Sequence, residues 1–142
     1  MTMRRILVAV DGSEGSDRAL AMAAEIAQPI PDAQVDLVYV VPFPVLEATQ
    51  AANFKTLLDA MIENGKKLLE QEKAKVPQIA DRVETQVVAG ANPATEILNI
   101  LDEHVYDLVV IGSRGLSGIK AYLGSVSHKV LNGSEVSVLV AK

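Results

Sequence analysis

Five short apolar runs alternate with segments whose apolar residues recur at helical spacing. Ile6 to Val10 is a continuous branched run that stops at Asp11-Gly12-Ser13, the pattern of a strand buried on both faces of a parallel sheet. From Ser16 to Ala27, residues Ala19, Leu20, Ala23, Ala24, Ile26 and Ala27 fall on one helical face, and Ser13 or Ser16 offers an oxygen to the amides left open at the start. Val35 to Val41 is a second buried run, closed by Pro42 and Pro44, neither of which can donate to a ladder. Pro42 to Gln50 is the least regular stretch, a place for a lid or a partner surface. Ala51 to Lys75 carries the longest helical pattern, with Phe54, Leu57, Leu58, Met61, Leu68 and Leu69 on one side. Glu63, Lys66, Lys67, Glu70, Glu72 and Lys73 fall mostly on the other; this predicts a solvated face with an i,i+4 pair from Glu63 to Lys67.

Val83 to Val88 alternates before turning apolar, which suits a strand near an edge. Gly90-Ala91-Asn92-Pro93 supplies a turn, an N-cap Asn and a proline at the first helical position, where its missing amide costs nothing. That helix runs through Ile97, Leu98, Ile100 and Leu101 toward His104, and the chain continues with a strand at Leu108 to Ile111, a helix at Ser125 to Leu131 and a strand at Val136 to Val140. The order βαβαβαβαβ with right-handed crossovers predicts an α/β fold: a three-layer α/β/α sandwich around a five-stranded, mostly parallel, Rossmann-like sheet. Residues 1–142 are expected to form one domain, because a chain of this length buries most of its apolar surface around a single core.

Composition narrows the chemistry. The 13 basic residues against 18 acidic ones give a net charge of −5, which disfavours a binder of the nucleic-acid phosphate backbone. With no cysteine, disulfides, thiolate catalysis and cysteine zinc sites are excluded, and a cytoplasmic location is expected. The apolar run after Arg4-Arg5 ends at Asp11 after five residues, too short for a signal peptide, and no stretch is long enough for a membrane span.

In open α/β sheets ligands bind beyond the carboxyl ends of the strands. Three places there are chemically distinctive: Asp11-Gly12-Ser13, the end of the second strand at Val40-Val41, and Gly112-Ser113-Arg114-Gly115 followed by Gly118 and Gly124-Ser125. Glycines after a strand let backbone approach a ligand, and the open amides of a helix start carry partial positive charge suited to phosphate. The last segment therefore reads as a phosphate cradle, to which the cap serine Ser125 adds a hydroxyl and which Ser117 or Arg114 can reach. The plainer reading of each single glycine is a turn, and of Asp11 an Asx-turn acceptor for the following amides. A Walker A string, a dinucleotide fingerprint and a nucleophile elbow are all missing. His104 reads as a helix-end cap; His128, one turn after Ser125, has no evident third residue to make it a base. No catalytic residue and no dedicated metal site is assigned.

The segment Val109-Val110-Ile111-Gly112-Ser113-Arg114-Gly115-Leu116-Ser117-Gly118, continuing to Leu123-Gly124-Ser125-Val126-Ser127, resembles the signature of the universal stress protein family. The opening Ile6 to Ser13, the Gly90-Ala91-Asn92-Pro93-Ala94 turn and the closing Val136 to Val140 match it too, so the resemblance covers essentially the whole chain. Nucleotide-binding members of that family show Gly, two residues, Gly, nine residues, then Gly-Ser or Gly-Thr; here Gly112, Gly115 and Gly124-Ser125 match, with eight residues between the second and third glycines. The resemblance implies that Asp11 and the Val40 backbone face a nucleoside, that Ala9 lines the base pocket, and that Gly112, Gly115, Gly124, Ser125 and Val126 hold ribose and phosphates. It further implies an ATP-binding regulatory protein of the stress response, with any Mg2+ arriving on the phosphates, and a homodimer paired through the last strand. The shortened spacing keeps open a nucleotide-independent interaction module of the same fold; a slow ATP hydrolase is the remaining alternative.

Overall fold

The computed structural model describes residues 3–43, 51–113 and 123–142. Five strands, β1 (Arg5–Ala9), β2 (Gln34–Pro42), β3 (Val83–Gly90), β4 (Leu108–Gly112) and β5 (Ser137–Ala141), form one sheet in the order β3-β2-β1-β4-β5. Every pairing is parallel, with Leu7 opposite both Asp36 and Val109. The helices are α1 (Glu14–Ala27), α2 (Ala51–Ala74), α3 (Pro93–Glu103) and α4 (Ser125–Gly133), with a 3-10 turn at Pro77–Arg82 that the sequence pattern does not announce.

Two apolar clusters occupy the two faces of the sheet. Ile6 and Val8 of β1 join Leu20 of α1 and Leu69 of α2, while Leu7 and Val109 face Ile97 and Leu101 of α3 and Val130 of α4. This is why β1 and β4 read as unbroken apolar runs: alternate side chains enter different cores, and Ile6 to Val8 and Leu108 to Ile111 are all buried. The expected three-layer α/β/α architecture is the one observed, and β3, whose sequence suggested an edge position, is an edge strand.

Local signals place the helix starts. Ser13 is the cap of α1, its Oγ accepting the Ser16 N–H at 3.2 Å, so the helix begins two residues before the Ser16 start that apolar spacing suggests. Asn92 caps α3 by accepting the Thr95 N–H at 3.2 Å, ahead of Pro93.

The long helix departs from expectation in three ways. Its inner stripe runs through Leu58, Met61, Gly65, Leu69 and Glu72, leaving Leu57 beside it and 58% exposed. Glu63 pairs with Lys66 at 3.2 Å rather than with Lys67. Glu72, expected on the solvated face, is buried, because the stripe carries it onto α1. There Lys75 Nζ bridges Glu72 Oε1 at 2.8 Å and Asp17 Oδ1 at 2.9 Å, while Glu72 Oε2 has no partner among the described residues. Burial pushes the Glu72 carboxyl up; Lys75 pulls it down and the neighbouring Asp17 pushes it up, and the net shift is upward. Burial also raises Asp17, but hydrogen bonds from Lys75 and Glu72 together with the charges of Lys75 and Arg18 outweigh it and hold that carboxyl low.

A second polar network closes the amino ends of the strands. Asp36 on β2 accepts the Tyr106 hydroxyl at 2.7 Å, Arg5 Nε at 3.1 Å and Gln34 Nε2 at 3.1 Å, and the Arg5 guanidinium lies 4.7 Å from the Tyr106 ring centroid. Burial and the hydrogen bond to this carboxylate raise the Tyr106 phenol well above its ordinary value. Asp107 accepts the Arg4 and Arg5 N–H groups, each at 2.9 Å, which fixes where β4 starts beside β1.

Candidate functional site

The chain winds outward from β1 through β2 to β3, then crosses back to β4 and β5, so the winding reverses between β1 and β4. α1 leaves β1 onto one face of the sheet and α4 leaves β4 onto the other. A crevice between the two departures is what this topology makes at the carboxyl ends of the strands.

One wall is the β1 to α1 turn. Asp11 Oδ1 accepts the Ser13 N–H at 2.9 Å, an Asx turn. Gly12 has φ +82°, in the left-handed region that only glycine enters without strain. Leu68 of α2 packs over it, 3.2 Å from where a Cβ would stand.

The other wall is the exit from β4. The Gly112 carbonyl accepts the hydroxyl of Ser127, a buried residue in the first turn of α4. The Ser113 N–H donates to Ala141 O at 2.8 Å, and the Ser113 carbonyl accepts the Gly124 N–H at 2.6 Å. Gly124 is the cap position of α4, with φ −62° and ψ 154° and no side chain to bond the helix amides. Ser125, expected to be the cap, is instead the first helical residue and is exposed. The reason is local: the Gly124 carbonyl already accepts the His128 N–H at 2.9 Å, which makes Gly124 the residue half inside the helix.

The two walls touch. A Cβ on Gly112 would lie 2.6 Å from the carbonyl of Gly15 in the first turn of α1. The close approach that Gly112 permits is thus, first of all, to α1 rather than to a ligand. Near the carboxyl ends of their strands Ala9 of β1, Val40 of β2 and Ile111 of β4 belong to one apolar cluster with Val126 of α4.

Of the residues singled out from sequence, Ala9, Asp11, Val40, Gly112, Gly124, Ser125 and Val126 come to this end of the sheet. Arg114 and Gly115, with Ser117 and Gly118, lie outside the described residues. His128 turns to Asn132, sharing a hydrogen bond of 3.0 Å at its Nε2, and His104 is the C-cap of α3, its N–H bonded to Ile100 O at 3.1 Å. No group of three or more His, Asp or Glu side chains among the described residues is placed to hold a metal ion, and no described helix is long and apolar enough to cross a membrane. Sequence reasoning missed Gly15 and Ser127. A glycine in a helix's first turn was a readable hint of close packing; a lone serine inside a helix carries none.

Comparison with known proteins agrees with this geometry. The sequence profile of the Universal stress protein family matches residues 2–142. The chain is 35% identical to universal stress protein YxiE of Bacillus subtilis, over 97% of this chain and 98% of that one. The solved structure of universal stress protein UspA from Lactobacillus plantarum superposes with a TM-score of 0.88 at 27% identity, covering 100% of this chain and 99% of that one. A universal stress protein solved in complex with cAMP superposes with a TM-score of 0.66 at 27% identity, covering 98% and 97% of the two chains. This chain belongs to the universal stress protein family.

Proposed function

We propose that this is a cytoplasmic, single-domain, ATP-binding regulatory protein of the stress response, in which occupancy of the crevice between β1 and β4 biases loop conformation or assembly. The observation that carries the reading is the convergence, at one strand switch, of an apolar strip formed by Ala9, Val40 and Val126 with the Asp11 turn and the uncapped start of α4. A purine ring suits the strip, and phosphate oxygens suit helix amides joined by the Ser125 hydroxyl. Arg114 and Gly115 complete the proposed cradle. The cAMP bound by a relative supports a nucleotide as the ligand class. The chain's own donors fit ATP, with Mg2+ riding on the phosphates.

Binding rather than turnover is the proposed activity. A ligand that prefers one loop arrangement shifts the population toward it, which suffices for a signal. Among the described residues β5 is an edge strand paired only to β4, and Val138 and Val140 along it are half-buried. Such an edge invites another strand, and a homodimer through β5 is part of the proposal; a monomer mass independent of concentration in sedimentation would refute that part.

The test is a calorimetric titration of ATP with magnesium into protein verified to be free of nucleotide. Micromolar binding is expected. No binding would make the eight-residue spacing decisive and would leave a nucleotide-independent interaction module as the function.

A further inference from the structure

The end of β4 poses an electrostatic problem for any anion held at the start of α4. Past the last ladder bond of a parallel strand a carbonyl oxygen loses its partner on the neighbouring strand, and an unpaired one facing the crevice would repel phosphate. Both candidates here are engaged: the Ser113 carbonyl accepts the Gly124 N–H at 2.6 Å, and the Gly112 carbonyl accepts the Ser127 hydroxyl. The first bond is backbone and is available to many sequences. The second depends on one side chain, which is 3% exposed and lies in the helix whose amides face the proposed ligand. On its other side Gly112 rests against the Gly15 backbone, so it cannot turn its carbonyl away by shifting toward α1.

Resting on the nucleotide reading above, we propose that Ser127 is a positioning residue of the phosphate site, holding the Gly112 carbonyl so that the start of α4 meets the ligand with donors alone. Ser127 does not touch the ligand. It acts through Gly112, and its loss weakens the contribution of the phosphates while sparing that of the nucleoside.

The experiment compares ATP and adenosine affinities by calorimetry for wild type, Ser127→Ala, Ser127→Cys and Ser127→Thr. Alanine removes the donor, cysteine keeps the volume with a much weaker donor, and threonine restores a hydroxyl. The expected result is a ratio of ATP to adenosine affinity about five- to tenfold lower in the Ala and Cys variants, the size of one neutral hydrogen bond, with adenosine affinity unchanged and the ratio recovered by Thr. Loss of stability alone would not move that ratio. If Ala fails to fold, Cys and Thr still decide the matter. An unchanged ratio in Ala or Cys, with wild type binding ATP, overturns the positioning role and leaves the nucleotide reading intact. A wild type that binds neither ligand overturns both.

Discussion

The two ends of the sheet are built by different means. At the amino ends, side chains satisfy one another: Asp36 gathers Tyr106, Arg5 and Gln34, and Asp107 holds two backbone amides. A cleft of about 320 Å³ lies there, with Asp36 and Tyr106 among its walls, yet the Asp36 carboxylate is already engaged by its neighbours. At the carboxyl ends backbone groups of Gly15, Gly112 and Gly124 make the close contacts, and among the described residues no side chain caps α4. One end uses its polar groups to hold the strands together; at the other, on the reading proposed above, the first amides of α4 meet a ligand. Stability and binding should therefore respond to mutation separately.

The largest expected effect is at the closed end. Asp36→Ala leaves the Tyr106 hydroxyl without its acceptor and Arg5 without its ion pair at 3.0 Å, and should lower unfolding stability by about 3 kcal/mol, the lower end for breaking a buried pair because Arg5 is partly exposed. Chemical denaturation measures it, and nucleotide affinity of the remaining folded protein should stay within about twofold. A large affinity loss would erase the distinction between the two ends.

Gly124→Val is the converse. The φ of −62° and ψ of 154° at this position suit any residue, so stability should change little, while a branched side chain at the start of α4 obstructs phosphate. ATP affinity should fall by about 30-fold, near 2 kcal/mol. Unchanged affinity would count against the cradle.

The smallest effect sharpens the contrast by pH, away from both ends. Glu72 keeps its proton above the ordinary 4.5 in the folded chain, whereas the unfolded chain has released it, so the native state binds more protons and stability falls as pH rises from about 4.5 through the raised folded value. Asp17 works in the opposite sense but only below its ordinary 3.8, outside that window. Glu72→Gln keeps an acceptor for Lys75 and cannot ionise. It should flatten the decline above pH 4.5 and gain on the order of 1 kcal/mol near neutrality, read from thermal unfolding at pH 5 and pH 8. A variant less stable than wild type at pH 8 would show that the charge of Glu72 is needed.

Most of the fold was legible because short branched apolar runs such as Ile6 to Val10, bounded by turn residues, suit strands covered on both faces, and because Asn92-Pro93 marks a helix start. Glu72 was not, since periodicity over a long charged helix does not say which turn leans against α1. The site was half legible. Asp11, Gly112 and Gly124 announce a turn, a close approach and a helix start, but a glycine does not name its neighbour, and the neighbour of Gly112 is Gly15. Ser127 stood in the signature segment without an assigned contact, because its bond to the Gly112 carbonyl exists only once α4 has folded back over β4.

The central claim, that the open end of the sheet binds nucleotide and the closed end does not, is tested most directly by amide chemical shifts in 15N-labelled protein as ATP and magnesium are added. Shifts concentrated at Gly12, Ser13, Gly112 and Gly124 to Val126, with Arg5, Asp36 and Tyr106 unmoved, are the predicted result. Shifts centred on Arg5, Asp36 and Tyr106, or none at saturating ATP, would contradict it.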